Sequence, residues 1–576
     1  MERFPARYLY LLLAVAIFFV AAWRADGLAD YRAAHRLNSR SAAAGVPPAY
    51  ALADGLLGGF RGFLISTLWQ RAQDKKQNRQ FYEMVDLYKI ISTLEPNYPN
   101  AWANMAWDLS YNVAAEFEED PRERVYWIFA GVNMLRDEAI RHNPHSALLY
   151  DQLSWIFFNK MANSVDPAYP LYRRQLALEM TGILDGGGGT ELFEHMLAAR
   201  RQYGGLAAFL AQPEVKALAA ELAAMGVDDL AAAAYPIVRD HDPKYARVTA
   251  QMPKLALLRT AGLLHMDDEL QRQANMDAEV MLELNREFAP IDWRMPQAYS
   301  LYWAWLGQRE MLAANPNYDN LKFIRMIYFS LIQLAHIGNG FMTEKGLMIA
   351  TPNPAMVDGI VRYMTGIIES RKGDASLTGM RSGFEYFLLT TVFNFYFSDN
   401  PLQAERARET LVKFTGSREK YGGSLTQFVN RQLPEFIDGL TEREATMLLV
   451  SFCQRAFRYL MLGNPRQFQE QMAWFDSNYL KLYKDWKERF QGTFNWQEQF
   501  GMPAPDELKA RMAAEILSGR TGASEKEIAV FRQGLRTLLP KVAEEAEKAA
   551  AGLRPAPGAD ALGDAPAKAP PAPAAP

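Results

Sequence analysis

Side chains that bind metals or move protons are scattered through this sequence and do not gather in motifs. His142 and His145 form a close pair, but Pro144 between them prevents the regular helix that would place both imidazoles on one face. The run Asp240–Asp242 places one imidazole between two carboxylates, yet adjacent residues of a helix point in different directions. We therefore predict no metal site and no catalytic group of nucleophile, base and oxyanion donor.

Two further features could suggest chemistry, a glycine run and a cysteine. Gly186–Gly189 might form a phosphate-binding loop, but the lysine and hydroxyl of a P-loop do not follow, so a hinge is the favoured interpretation. Cys453 is the single cysteine, which excludes an intrachain disulfide and a cysteine-based zinc site. It lies in an apolar helical stretch, residues 448–462, and is predicted to be a small buried hydrophobe. The sequence thus predicts a protein that is not an enzyme and has no cofactor.

The charge balance narrows the classes of partner. The chain has 576 residues, with 62 Lys and Arg against 66 Asp and Glu, for a net charge of -4. Such a balance gives no electrostatic grip on phosphate, so no nucleic-acid partner is expected. Apolar residues make up 49%, which excludes a wholly disordered chain. No small-molecule substrate is evident, and a protein partner of unidentified nature remains.

The N-terminal region carries the strongest local signal. Residues 8–23 contain sixteen residues without a charge, follow the basic tail 1–7 and stop at Arg24. As a helix they would cover about 24 Å, slightly less than a hydrocarbon core of about 30 Å, and aromatic residues stand at both ends. We predict a transmembrane signal anchor at residues 8–23. A cleaved signal peptide is the alternative, because Val20–Ala22 could serve as its small-residue cleavage site.

The residues on either side of the apolar run give conflicting indications of its orientation in the membrane. Four arginines follow the apolar run, at Arg24, Arg32, Arg36 and Arg40, and by the positive-inside rule they place the body of the chain in the cytoplasm. A very short N-terminal tail, typical of signal anchors, and the near absence of cysteine favour the opposite side. We predict a single-pass protein of the cell membrane with an extracytoplasmic body, and a cytoplasmic body stays open.

Beyond Pro48 the pattern is that of helices. Apolar residues recur at steps of three and four, as at Phe81, Val85, Tyr88 and Ile91. Ser-x-x-Glu or Thr-x-x-Glu capping boxes precede apolar stretches at residues 441–444 and 524–527. The predicted fold class is all-α.

A repeated spacing within residues 96–155 indicates how these helices are arranged. A proline is followed after six residues by an aromatic and after nine by an aliphatic, first as Pro96, Trp102 and Met105 and then as Pro144, Tyr150 and Leu153. This spacing resembles the inner helix of the tetratricopeptide repeat, although the two prolines are 48 residues apart and the family's repeat has about 34. The stretches at residues 102–107 and 135–138 also resemble uncharacterised membrane-anchored bacterial proteins of this repeat type. The resemblance implies an α-solenoid of helix pairs.

The expected organisation follows from these features and from composition. Residues 552–576 contain 7 prolines and 9 alanines and too few large apolar groups to form a core. The predicted segments are a basic tail (1–7), the anchor (8–23), a juxtamembrane linker (24–50), tetratricopeptide-like repeats (51–185), a divergent Ala/Leu-rich helical segment (186–290), a second tetratricopeptide-like region (291–490), C-terminal helices (491–551) and a disordered Pro/Ala tail (552–576).

Function is expected on the surface of the repeats. The inner helices of a solenoid line a concave groove, where aromatic side chains are typical anchors for a partner. The spacing assigns Trp102 and Tyr150 to packing. The residues off that register, together with a tryptophan on the next inner helix, are the predicted protein-binding residues: Asn104, Trp107, Tyr111 and Trp155.

Three functions remain at this level. The first is a membrane-anchored scaffold that mediates protein–protein interaction near the bilayer. The second is a structural accessory subunit of a membrane export or transport complex. The third is an enzyme whose site is built from scattered carboxylates, since such sites are recognised by geometry and not by sequence position.

Overall fold

The computed structural model describes most of the chain from residue 61 onwards. It covers residues 61–117, 120–162, 166, 168–186, 188–342, 348–351, 353–397, 400–439, 453, 455–490, 504–518 and 524–552, and, before these, Leu13, Ala16, Ile17, Val20 and Arg24. The rest of the predicted anchor 8–23, the predicted capping box 441–444 and the predicted tail from residue 553 lie outside the described residues. The chain forms two compact units, the first from residues 1–341 and 348–360, the second from residues 342–347 and 361–576.

No helix among the described residues combines the length and the apolar character needed to cross a bilayer.

The first unit is built from α-helices, several of which begin with proline at their first turn, where its missing N–H does no damage. The helices are α1 (Arg61–Gln77), α2 (Phe81–Leu94), α3 (Pro99–Trp107), α4 (Pro121–Asn133), α5 (Ile140–His142), α6 (Ala147–Trp155), α7 (Tyr169–Leu184), α8 (Thr190–Tyr203), α9 (Leu206–Leu210), α10 (Pro213–Ala223), α11 (Leu230–Asp240), α12 (Ala246–Thr249), α13 (Met252–Glu269), α14 (Ala278–Phe288), α15 (Pro296–Ala314) and α16 (Leu321–Ile337).

In the described part of this unit, four helices continue into short π-helical stretches. These are Asp108–Val113 after α3, Met134–Ala139 after α4, Ile156–Ala162 after α6 and Leu270–Ala274 after α13. π-Helical turns are rare and frequently lie at functional sites. The stretches after α3 and α6 carry residues of the surface described below.

Neighbouring helices pack in pairs, and the pairs pack on one another. α1 packs on α2, α3 with its π-helical stretch packs on α4, and α3 also contacts α6. α4 approaches closely because Gly131 has no side chain; a Cβ there would lie 2.7 Å from the carbonyl oxygen of Ala106. Trp102 and Tyr150 are buried, as their spacing predicted, and the Trp102 indole donates to the Pro96 carbonyl at 2.8 Å.

The chain then makes a detour before the next pair. α8 to α13 share one apolar core, which includes Phe209, Leu222 and Leu258, and α14 packs on α8. After this detour α15 packs on α6, and α16 packs on both α15 and α6. Residues separated by about 170 positions are therefore neighbours in this unit.

Two short strands, β1 (Asn339–Met342) and β2 (Met348–Thr351), pair in a two-stranded sheet that the sequence analysis did not predict. The described residues are otherwise helical or in turns and connections, so the all-α class is confirmed. The helices that follow are α17 (Val357–Ser370), α18 (Thr378–Phe397), α19 (Pro401–Thr415), α20 (Arg418–Tyr421), α21 (Leu425–Gly439), α22 (Pro465–Phe490), α23 (Pro505–Leu517), α24 (Glu525–Leu538) and α25 (Pro540–Gly552).

Two sequence predictions are confirmed in the second unit. Ser524 and Glu527 form the predicted capping box at the start of α24, with the Ser524 amide donating to the Glu527 carboxylate at 2.8 Å. Cys453 is fully buried, and burial raises the pKa of its thiol to about 12. A thiol held neutral in this way is a poor nucleophile.

Candidate protein-binding surface

Tyr111 lies at the centre of the predicted binding residues. It belongs to the π-helical stretch after α3, and its ring stacks on that of Trp107, with centroids 4.0 Å apart and planes 15° apart. Trp107 is the last residue of α3 and is 43% exposed, whereas Trp102 on the same helix is 2% exposed. The stack therefore presents aromatic area to the surface that the core does not use.

The Tyr111 hydroxyl joins this stack to the next helix pair. It donates to Oδ1 of Asn159 at 3.2 Å. Burial raises the pKa of Tyr111 well above its ordinary value, and the nearby Trp155 side chain lowers that pKa by less. The amino group of Lys160 lies 4.9 Å from the centre of the Tyr111 ring. Three of the four predicted residues are thus brought together.

Asn104, the fourth predicted residue, lies one turn before Trp107 on α3 and is exposed. Among the described residues, no hydrogen bond or ring contact involves its carboxamide. Asn104 therefore lies on the same helix as Trp107, and its carboxamide is available to a ligand.

Sequence reasoning missed two residues that extend this surface. Trp155 lies 6.2 Å from Phe158, and Phe158 lies 6.1 Å from Phe329 on α16, measured between ring centres. Phe329 is 45% exposed. We name the group Trp107, Tyr111, Trp155, Phe158 and Phe329 the aromatic face.

A signal for Phe329 was present in the sequence. The apolar stripe of α16, including Ile324, Tyr328 and Leu331, is buried, and Phe329 falls outside it. Trp107 was selected for a related reason, because it lies off the packing register of the repeat. The proximity of Phe329 to Phe158 depends on the return of the chain after α14, which no local spacing encodes.

A buried carboxylate fixes the π-helical stretch beneath the stack. Asp108, between Trp107 and Tyr111, accepts hydrogen bonds from Tyr88 at 2.7 Å and from Asn112 at 2.5 Å, and it pairs with Lys76. Burial, and to a lesser degree the charge of Asp108, raises the pKa of Tyr88, so its hydroxyl stays a donor. These bonds hold α1, α2 and the π-helical stretch in one arrangement.

The cations near the aromatic face are matched by carboxylates. Besides Lys76 with Asp108, Lys322 pairs with Asp151 at 2.5 Å and Lys160 with Asp166 at 3.1 Å. Asp166 also accepts from Arg124 at 3.0 Å. Burial would raise the pKa of Asp166, but the hydrogen bonds from the Ala168 amide and Lys160, with the charges of Lys160 and Arg124, outweigh it and lower that pKa. The face is consequently close to neutral.

Carboxylates with altered protonation were the expected sign of an enzyme. Glu179 on α7 is one, because burial raises its pKa against a 2.8 Å hydrogen bond from Gln175 and the charge of Arg136. Arg136 is itself held by Asp137 in two bonds of 2.6 and 2.8 Å. In the described part of the chain, no three His, Cys, Asp or Glu side chains converge as a metal site would require.

No protein-family model, curated protein or solved structure matches this chain.

Proposed function

We propose that the protein is a membrane-anchored, tetratricopeptide-like scaffold that binds another protein through the aromatic face. The observation that best supports this proposal is the contrast between the two tryptophans of α3. Trp102 is buried, whereas Trp107 is exposed and stacked on Tyr111. Large aromatic residues that are not needed for the core are typical anchors of interfaces, because they bury a large area with few rotatable bonds. The partner would sit across α3, α6 and α16.

The repeat family and the anchor are parts of the same proposal. Support for the tetratricopeptide-like arrangement comes from the helix pairs and from the burial of Trp102 and Tyr150 at matched positions of two successive inner helices. Support for the anchor comes from the sixteen uncharged residues at positions 8–23. Extraction of membranes with carbonate should leave the full-length chain in the pellet. A reporter active on only one side of the membrane, fused to the C-terminus, should report an extracytoplasmic body.

Site-specific crosslinking in native membranes tests the binding surface. A photoreactive amino acid in place of Trp107 should capture one defined partner chain. Tyr82 is a matched control, because it is also an exposed aromatic but lies on α2 and contacts Tyr126 and Trp127. Capture of the same chain with equal yield from position 82 would contradict the assignment to the aromatic face.

A structural subunit of a membrane export or transport complex is the second candidate. It is favoured by further large apolar side chains that are exposed and are not part of the aromatic face, among them Phe63, Leu402 and Leu462. An obligate subunit separated from its complex would expose such groups and aggregate. A chain lacking residues 1–50 that is monodisperse in solution would favour the scaffold, and one that aggregates would favour the subunit.

A further inference from the structure

We infer that the aromatic face binds an uncharged, proline-rich segment of its partner in an extended polyproline II conformation. This inference rests on the proposed function, because it names the chemistry of the partner at the same surface. Three features of the face carry it: the continuity of its rings across three helices, its unused hydrogen-bond donors and its charge.

The rings come in three groups, each on its own helix. Trp107 and Tyr111 lie on α3 and its π-helical extension, Trp155 and Phe158 on α6 and its extension, and Phe329 on α16. The groups form one continuous aromatic surface, since the ring centres of Phe158 and Phe329 on neighbouring helices are 6.1 Å apart, as close as the 6.2 Å between Trp155 and Phe158. A polyproline II helix has three residues per turn and rises about 3.1 Å per residue, so it presents a side chain on each of its faces at every turn. A segment that crosses the helices could therefore pack proline rings along this surface.

The polar groups of the face match the backbone of such a segment. A polyproline II helix has no internal hydrogen bonds, so its carbonyl groups are available to accept from donors of the receptor. Within the described residues, the carboxamide of Asn104, the Nδ2 of Asn159 and the Nε1 of Trp107 donate to no protein group. An α-helical ligand has satisfied its own carbonyls and would leave these donors unused.

The charge of the face argues for a neutral occupant. Lys76, Lys160 and Lys322 are each paired with an aspartate, and the exposed Arg325, one turn before Phe329, also has an interaction partner. An acidic or phosphorylated segment would have to compete with those carboxylates for the lysines. A proline- and alanine-rich segment needs no such exchange, and its rings pack on aromatic surfaces as in other proline-rich ligands.

Fluorescence anisotropy with the purified full-length protein tests this inference. The probe is a labelled twelve-residue peptide of repeated Ala-Pro-Pro, and the comparison peptides are the same length with every proline replaced by alanine or serine, an amphipathic helical peptide and a phosphoserine peptide. We expect saturable binding of the proline-rich probe alone. Trp107→Ala should weaken it by about 30-fold, as expected for an interface anchor, and Asn104→Ala by about fivefold, as expected for one hydrogen bond. Tyr82→Ala should leave it unchanged, and the circular dichroism of all three variants should match the parent.

The outcomes separate this inference from the proposed function. Equal binding of the peptide without proline, binding of the helical or phosphorylated peptide in place of the proline-rich one, or equal binding by Trp107→Ala would overturn the proline-rich assignment. If crosslinking from position 107 still captured a partner in any of those cases, the scaffold function would stand. Loss of both the peptide binding and the position-dependent crosslink would remove the two together.

Discussion

The aromatic face and the segment α8–α14 differ in the kind of side chain that they expose to solvent. Between residues 190 and 288, Met252 is the single large apolar side chain that is exposed. Many exposed helical positions in this range carry alanine, as at Ala208, Ala217 and Ala220. On the aromatic face, Trp107 and Phe329 are exposed to 43% and 45%. Both regions are helical and both have buried apolar cores.

The difference shows what folding alone requires of a surface position in this protein. Alanine has the best helix propensity and buries no polar group, so it is sufficient where packing is the only demand. An exposed tryptophan adds nothing to helix formation and leaves apolar area in water. The exposed rings of the aromatic face therefore fit the proposal that a partner covers this surface.

The two tryptophans of α3 give the largest expected contrast in stability. Trp102→Ala removes a buried indole and its hydrogen bond to Pro96, and should lower the free energy of unfolding by about 3–5 kcal/mol. Trp107→Ala should lower it by only about 1 kcal/mol, because the indole is 43% exposed and its main loss is the stacking on Tyr111. Urea unfolding followed by far-UV circular dichroism measures both. A loss at position 107 as large as that at position 102 would place Trp107 in the core and end its assignment to the face.

The buried carboxylate under the stack should give the next largest effect. Asp108→Asn weakens the bonds from Tyr88 and Asn112 and leaves Lys76 without its counter-ion, which should cost about 2–3 kcal/mol of unfolding free energy. Asp86→Asn is the control, because Asp86 is exposed and pairs with Lys89 at 3.5 Å; such surface pairs contribute about 0–1 kcal/mol. Equal effects of the two substitutions would show that Asp108 does not fix the π-helical stretch.

Stability against unfolding should depend on pH through Asp166, whose carboxylate pairs with Lys160 beside the Tyr111 ring. The pKa of Asp166 is lowered in the folded chain relative to an unfolded value of about 3.9, so its contribution is present above about pH 4 and is lost as the pH falls through the folded value. Asp166→Asn should therefore be less stable than the parent at pH 7, and the gap should close below about pH 4. Unfolding midpoints in urea at pH 7, 5, 4 and 3 measure it. A gap of constant size down to pH 3 would exclude this role for the Asp166 carboxylate.

Local spacing was enough to predict the helices and part of the face. The class, the burial of Trp102 and Tyr150, the capping box at Ser524 and the burial of Cys453 all depend on neighbours a few residues away. For the same reason Trp107 and Tyr111, one helical turn apart, could be paired from the sequence. Their joint position off the packing register was sufficient to select them.

Features that depend on distant parts of the chain were not accessible in this way. Phe158 meets Phe329 because α15 and α16 pack on α6 after the detour through α8–α14. The sequence predicted the two ends of that segment, at residues 186 and 290, but not that the helices after it pack on α6. The π-helical stretch at Asp108–Val113 is held by Lys76 and Tyr88 from two other helices, so the tertiary contacts decide it. The pair β1 and β2 joins two four-residue strands, which is too short for a period-two pattern to be recognised.

Two substitutions with the smallest expected effect on stability give the most direct test of the difference between the aromatic face and the segment α8–α14. Met252 and Phe329 are both exposed, at 70% and 45%, so alanine at either position should change the unfolding free energy by less than about 1 kcal/mol. Only Phe329→Ala should reduce partner capture from position 107, by about five- to tenfold, because it removes one ring group at the edge of the face. Quantitative crosslinking of the two variants, normalised to the amount of folded protein, measures the difference. If Met252→Ala reduced capture as strongly as Phe329→Ala, exposure alone would account for both residues, and the contrast between the aromatic face and the alanine-rich segment would carry no functional meaning.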